Sequence, residues 1–153
     1  MIIPAPTPST EEAPIVGSTF WPEIEPANVR ADQRIDNTIT PARLAAMLTE
    51  ALIVTIEALA TWKAEQVANG YVRLQDVPSE PIGDRTAHEH RFHRAVGCLA
   101  KALLLERYRD FDSTGKGDKK AEVLSDPIDD LRRDWHNAIA DIVGRSRCTV
   151  ELI

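Results

Sequence analysis

The sequence predicts an all-α protein: a small helical bundle with a flexible N-terminal arm and an extended C-terminal tail. Three observations carry this. Apolar residues recur at helical spacing in three long segments. Two helix starts are written as a capping residue followed by proline, Thr40-Pro41 and Asp126-Pro127. Glycine stands where the apolar pattern stops, at Asn69-Gly70 and at Gly144. The chain has 153 residues, the length of one domain, and at 43% hydrophobic and 27% charged its composition is that of a globular protein.

The elements follow in order. Residues 1–19 hold Pro4, Pro6, Pro8 and Pro14 among threonine, serine and glutamate, without apolar periodicity, which predicts a flexible arm. Phe20-Trp21-Pro22 then sets two large aromatics side by side. They serve either to anchor the arm on the core or to contact a partner, since aromatics concentrate at interfaces. Glu25-Pro26-Ala27 opens a short first helix ending near Gln33. Thr40-Pro41 opens a second, expected to run about 26 residues to Ala68. Its apolar set is Leu44, Met47, Leu48, Ala51, Leu52, Ile56, Leu59 and Trp62, widened by Ile53 and Val54. A stripe that wide predicts burial on more than one side, either as the domain's central helix or against another subunit. Residues 71–81 read as a loop with a short extended piece at Tyr71-Val72-Arg73-Leu74. Thr86 caps a third helix to about Arg109, with Phe92, Val96, Leu99, Leu103 and Leu104 as its core stripe. A loop over 111–117 leads to a short helix around 119–124. The last helix then starts at Asp126-Pro127, with Ile128, Leu131, Trp135, Ile139 and Ile142 on one face. Residues 20–144 thus form the helical domain and 145–153 a tail. Cys148-Thr149-Val150-Glu151-Leu152-Ile153 is β-branched and apolar, fit to add to another chain's sheet or to fold back over its own core.

Charge and motifs exclude more than they assign. A net charge of −6 argues against binding duplex DNA, which needs clustered cations to displace counterions. It suits a wall that DNA slides past. No apolar run reaches the ~20 residues that span a bilayer, no signal peptide is recognisable, and Cys98 and Cys148 read as reduced thiols of a cytoplasmic protein. His88-Glu89-His90-Arg91-Phe92-His93 falls short of the zinc protease pattern, because position 92 is Phe and His88 and His93 lie about 140° apart around a helix. It reads as the solvated polar start of the third helix. Ser113-Thr114-Gly115-Lys116-Gly117 lacks the first glycine and the closing hydroxyl of a phosphate loop. Asp110-Phe111-Asp112-Ser113-Thr114-Gly115 begins like a calcium loop, but its twelfth position falls on Ala121 and Glu122 comes one residue late. Six serines sit in expected loops without a nucleophile elbow. The sequence therefore predicts no enzyme, no cofactor and no metal.

Four segments, in order and spacing, are similar to one family. They are Phe20-Trp21-Pro22-Glu23-Ile24-Glu25; Gly70-Tyr71 with Val77-Pro78; Glu106-Arg107-Tyr108-Arg109-Asp110-Phe111-Asp112-Ser113-Thr114-Gly115; and Arg145-Ser146-Arg147-Cys148-Thr149-Val150-Glu151-Leu152-Ile153. The chain resembles the head completion (head stabilisation) proteins of contractile-tailed temperate phages over nearly its whole length beyond the arm. The acidic arm and the histidine cluster have no counterpart in that resemblance. It implies a structural protein that binds the portal vertex after DNA packaging, retains the genome and forms the head–tail connector platform. The implied partners are the portal protein, a tail-side connector or tail terminator protein, and copies of itself in a ring with portal symmetry, the isolated protein being monomeric or not. Packaged DNA passes nearby without sequence-specific binding, and no membrane is involved. The implied location is the virion neck, with assembly in the host cytoplasm. The expected portal contact is Arg145, Arg147, Thr149, Val150, Glu151, Leu152 and Ile153, with Phe20 and Trp21 as further partner-contact candidates. The alternative is a small acidic helical regulator, antitoxin- or chaperone-like.

Overall fold

A computed structural model describes residues 12–111 and 117–146, with side chains described outside 108–126. Five α-helices dominate the described chain: α1 (Pro26–Gln33), α2 (Pro41–Ala58), α3 (Ala60–Ala68), α4 (Ala87–Phe111) and α5 (Gly117–Val143). A 3-10 turn at Leu74–Asp76 and a hairpin of β1 (Pro81–Ile82) and β2 (Arg85–Thr86) fill the space between α3 and α4.

The caps expected at Thr40, Thr86 and Gly144 form. Thr40 Oγ1 accepts from Arg43 N–H at 3.3 Å, with Pro41 in the first turn of α2. Thr86 begins α4 in a reciprocal box: Glu89 N–H donates to Thr86 Oγ1 (3.3 Å) and Thr86 N–H donates to Glu89 Oε2 (2.7 Å). α5 stops at Gly144, where φ is 76° and Arg145 N–H reaches back to Ala140 O at 2.9 Å, a Schellman turn.

The centre of the fold is α4, not α2. It packs on α1, α2 and α5, and its segment from Ala95 to Ala100 is buried all round. Small residues allow this. A Cβ on Gly97 would meet the Gln33 side chain at 3.3 Å, so α4 and the end of α1 touch closely. Lys101 Nζ donates to Gln33 O (2.8 Å) and Arg34 O (3.3 Å), closing the C-terminus of α1 with a cation. The core joins Leu44, Leu48 and Leu52 of α2, Phe92, Val96 and Leu99 of α4, and Ala138, Ile139 and Ile142 of α5. α4 and α5 form the most extensive helix pair, with Arg132 gripping Glu106 through two hydrogen bonds of 2.7 and 2.9 Å.

Four expectations are corrected. The second helix does not run unbroken to Ala68: it turns by 60° at Leu59, and α3 continues. The bend lets fully buried Leu59 and nearly buried Trp62 both reach the core. The short helix at 119–124 and a fresh start at Asp126-Pro127 are replaced by one helix, α5, that passes through Pro127. Proline there removes one backbone hydrogen bond, a cost of about 3 kcal/mol, at an exposed position of the helix. The loop at 71–81 ends in a hairpin, where Gly83 at φ 66° is the first residue of a two-residue turn. Within the segment read as arm, residues 12–18 are tethered to the domain, with Ile15 packed against the core and most of the others exposed. Ile15 and Ile24 exchange backbone hydrogen bonds (2.8 and 2.9 Å), Glu12 accepts from Arg30 Nε at 2.9 Å, and Gly17 faces Ile56. Among the described residues no single helix is long and apolar enough to cross a membrane; the bent α2–α3 pair passes that test only when joined across its bend.

Candidate partner-docking surface

Phe20 and Trp21 point inward. Each is 4% exposed. Trp21 stacks face to face on Phe92 (centroids 4.8 Å, planes within 6°), and Phe20 meets Trp21 and Trp62 edge-on at 4.8 and 6.5 Å. Lys63 Nζ lies 5.5 Å from the Phe20 ring. Leu74 N–H donates to Phe20 O at 2.9 Å, tying this corner to the 3-10 turn. Of the two readings of this pair, burial against Phe92 and Trp62 favours the anchor and leaves these side chains little surface for a partner contact.

The histidine cluster is not a solvated helix start either. His90 faces outward, with Nε2 2.8 Å from Ile82 O, but His88 sits edge-on to Trp62 at 5.4 Å and its Nδ1 is buried without a hydrogen-bond partner. Burial pushes the pKa of His88 down, with Arg91 adding to it. His93 is driven to about 4, first by burial and then by the Arg85 charge. Both rings are neutral at pH 7. Among the described residues no group of three or more His, Cys, Asp or Glu side chains could hold a metal ion. The calcium-like and phosphate-loop-like segments fall at residues 110–117, whose side chains lie outside the described residues.

Sequence reasoning missed Thr55. Among the described residues it is the polar one buried in the core, 0% exposed; its Oγ1 donates to Ala51 O (2.7 Å) and accepts from Trp135 Nε1 (3.0 Å). This ties α5 to α2 across the core. A threonine inside an apolar stripe gives no signal of its distant partner, so only the fold reveals it.

Of the expected tail contact, Arg145 is described and exposed at the end of α5, while Arg147, Thr149, Val150, Glu151, Leu152 and Ile153 lie outside the described residues. Arg145 and Ser146 border an open groove of about 780 Å³ that runs along the α5 face bearing Asp129, Arg133, His136 and Ala140. The surface from which the tail departs is therefore cationic at its rim, against an acidic molecule. A second exposed feature is Ile53, 46% exposed on the outer face of α2.

The phage head completion protein (GPL) family model matches residues 15–153, which takes in the core strap that begins at Ile15 and the whole tail. The head completion/stabilization protein of Escherichia phage P2 is 38% identical over 148 residues, covering 97% of this chain and 88% of that protein. No solved structure matches the chain. A match over nearly all of the chain shows that this protein belongs to the phage head completion protein family, a structural family of the phage head.

Proposed function

We propose that this protein completes the head by binding the portal after packaging, retaining the genome and presenting the platform to which the tail joins. The observation that carries the reading is the full-length similarity to a head completion/stabilization protein, including the tail. Three features support it. The tail leaves a firmly capped helix end and carries Val150, Leu152 and Ile153 on a chain able to add to a foreign sheet edge. Ile53 stands on an outer helix face, where a neighbouring copy in a ring would cover it. A net charge of −6 repels phosphate and lets DNA pass without sticking. On this reading the contacts are made by Arg145, Arg147, Thr149, Val150, Glu151, Leu152 and Ile153, the arginines pairing with acidic groups of the portal. The tail-side partner is a connector or terminator protein, and the protein sits in the virion neck.

The test is binding to isolated portal rings. Val150→Asp or Leu152→Asp should abolish it while circular dichroism stays that of the native protein, because each removes a buried apolar side chain worth about 1.5–3 kcal/mol from the contact. Unchanged binding by both variants would remove the tail from the interface.

A further inference from the structure

α1 and α5 end in the same turn, built on different residues. In each, the chain passes through a left-handed residue and the next amide reaches back along the helix. Ile35 N–H donates to Arg30 O and Arg145 N–H to Ala140 O, both at 2.9 Å. α5 has glycine in the left-handed place, Gly144 at φ 76°. α1 has Arg34 at φ 52°, the one non-glycine residue with positive φ among the described residues. An L side chain crowds the backbone there, so the position favours glycine. The helix end does not call for the arginine's charge, because Lys101 Nζ already donates to Gln33 O (2.8 Å) and Arg34 O (3.3 Å). The Arg34 guanidinium is exposed, and among the described residues no hydrogen bond or ion pair holds it. Backbone strain of this kind gathers at positions that hold a ligand or partner.

Arg34 borders a recess of about 270 Å³ between the α1–α2 connection and α4. Lys101 borders it too, and its floor is apolar, made by nearly buried Ile39 and Leu104 and half-buried Leu105. The recess has one carboxylate of its own, Asp36, which is turned to its own loop: it accepts from Thr38 N–H (2.8 Å) and from the Thr38 hydroxyl. We propose that this recess is the docking site for an acidic segment of a partner protein, one that carries a carboxylate next to an apolar side chain. The carboxylate takes the free fork of Arg34, a charge-assisted pair, and the apolar side chain lies on Leu104 and Leu105. Charge complementarity selects the acid, since the cation at the mouth is unspent. The apolar floor selects a protein over nucleic acid. Two cations on a chain of net charge −6 are too few to hold a phosphate backbone, which needs them clustered. The docking does not depend on the portal reading; it asks only for a partner with an acidic surface segment.

The experiment titrates the 15N-labelled full chain with three probes: acetyl-Leu-Asp-Glu-Leu-amide, the same peptide with Asn and Gln in place of its acids, and a short DNA duplex. The acidic peptide should shift the amides of Arg34, Ile35 and Leu105, and the amide peptide should bind about tenfold more weakly, the loss of a charge-assisted pair. Arg34→Gly keeps the left-handed turn and removes the guanidinium. It should weaken the acidic peptide by the same factor while raising Tm by a few degrees, because the backbone strain is relieved. Equal shifts from the two peptides, or none from the acidic one, would overturn the proposal. A lower Tm for Arg34→Gly would overturn it as well, by showing that the arginine serves the fold. Shifts from the duplex that the acidic peptide does not produce would give the surface to nucleic acid and overturn it too.

Discussion

Phe20 and Trp21 stand next to each other in the chain, and the sequence makes them legible as apolar anchors. It does not say which way they face, because that depends on Phe92 and Trp62, far along the chain. Thr55 is the opposite case: nothing near it in sequence marks it, yet it bridges Ala51 and Trp135. Thr55→Val keeps the volume but leaves the Trp135 indole N–H without its acceptor. The variant should lose about 1–3 kcal/mol in urea denaturation, and an unchanged midpoint would show the bridge to be idle. His93 makes a pH prediction. Its folded pKa is about 4, below the ordinary histidine value of 6.5. Between these values the unfolded chain binds more protons, so stability is full above pH ~6.5 and falls as pH drops toward ~4. Allowing for solvent screening of a half-buried ring, the loss should be about 1–3 kcal/mol. His93→Gln should flatten that part of the pH–stability curve, and an equal slope in the variant would place the acid sensitivity elsewhere.

At the scale of elements, starts and stops were legible wherever a local signal sets them: Pro26 for α1, Thr40-Pro41 for α2, Thr86 for α4, Gly144 for the end of α5. Breaks set by packing were not. No glycine or proline marks the 60° bend at Leu59; it exists because Leu59 and Trp62 must both reach the core. Pro127 erred in the other direction. Its proline signal favours a new helix, but contact with α4 over a long antiparallel pairing keeps α5 in one piece. The two-residue hairpin around Gly83-Asp84 carried a Gly-first turn signal that a loop reading passed over. If α5 is continuous at Pro127, then Pro127→Ala restores a helix bond at an exposed position and should raise stability by about 1–3 kcal/mol. Thermal denaturation would read this as an increase of a few degrees. A lower midpoint would mean that the proline sits at a break the chain needs.

Across the whole molecule, the helical class followed from apolar periodicity, while the arrangement around α4 did not. The sequence puts its widest apolar stripe on α2, but centrality depends on which helix tolerates close neighbours on all sides, and the small residues Ala95, Gly97 and Ala100 give that to α4. The surplus apolar surface of α2, around Ile53, is left facing outward, consistent with a protein whose work is assembly. Family membership was legible from four ordered segments, and those segments span core and tail alike, the first anchoring the strap and the last leaving α5. The most direct test of the head-completion account is to delete this gene from its phage, induce lysis, and measure how much capsid DNA survives nuclease. The account predicts that packaged DNA is lost or digested and that tails fail to join, with both restored by the gene in trans. Normal yields of infectious virions with fully protected DNA would contradict it.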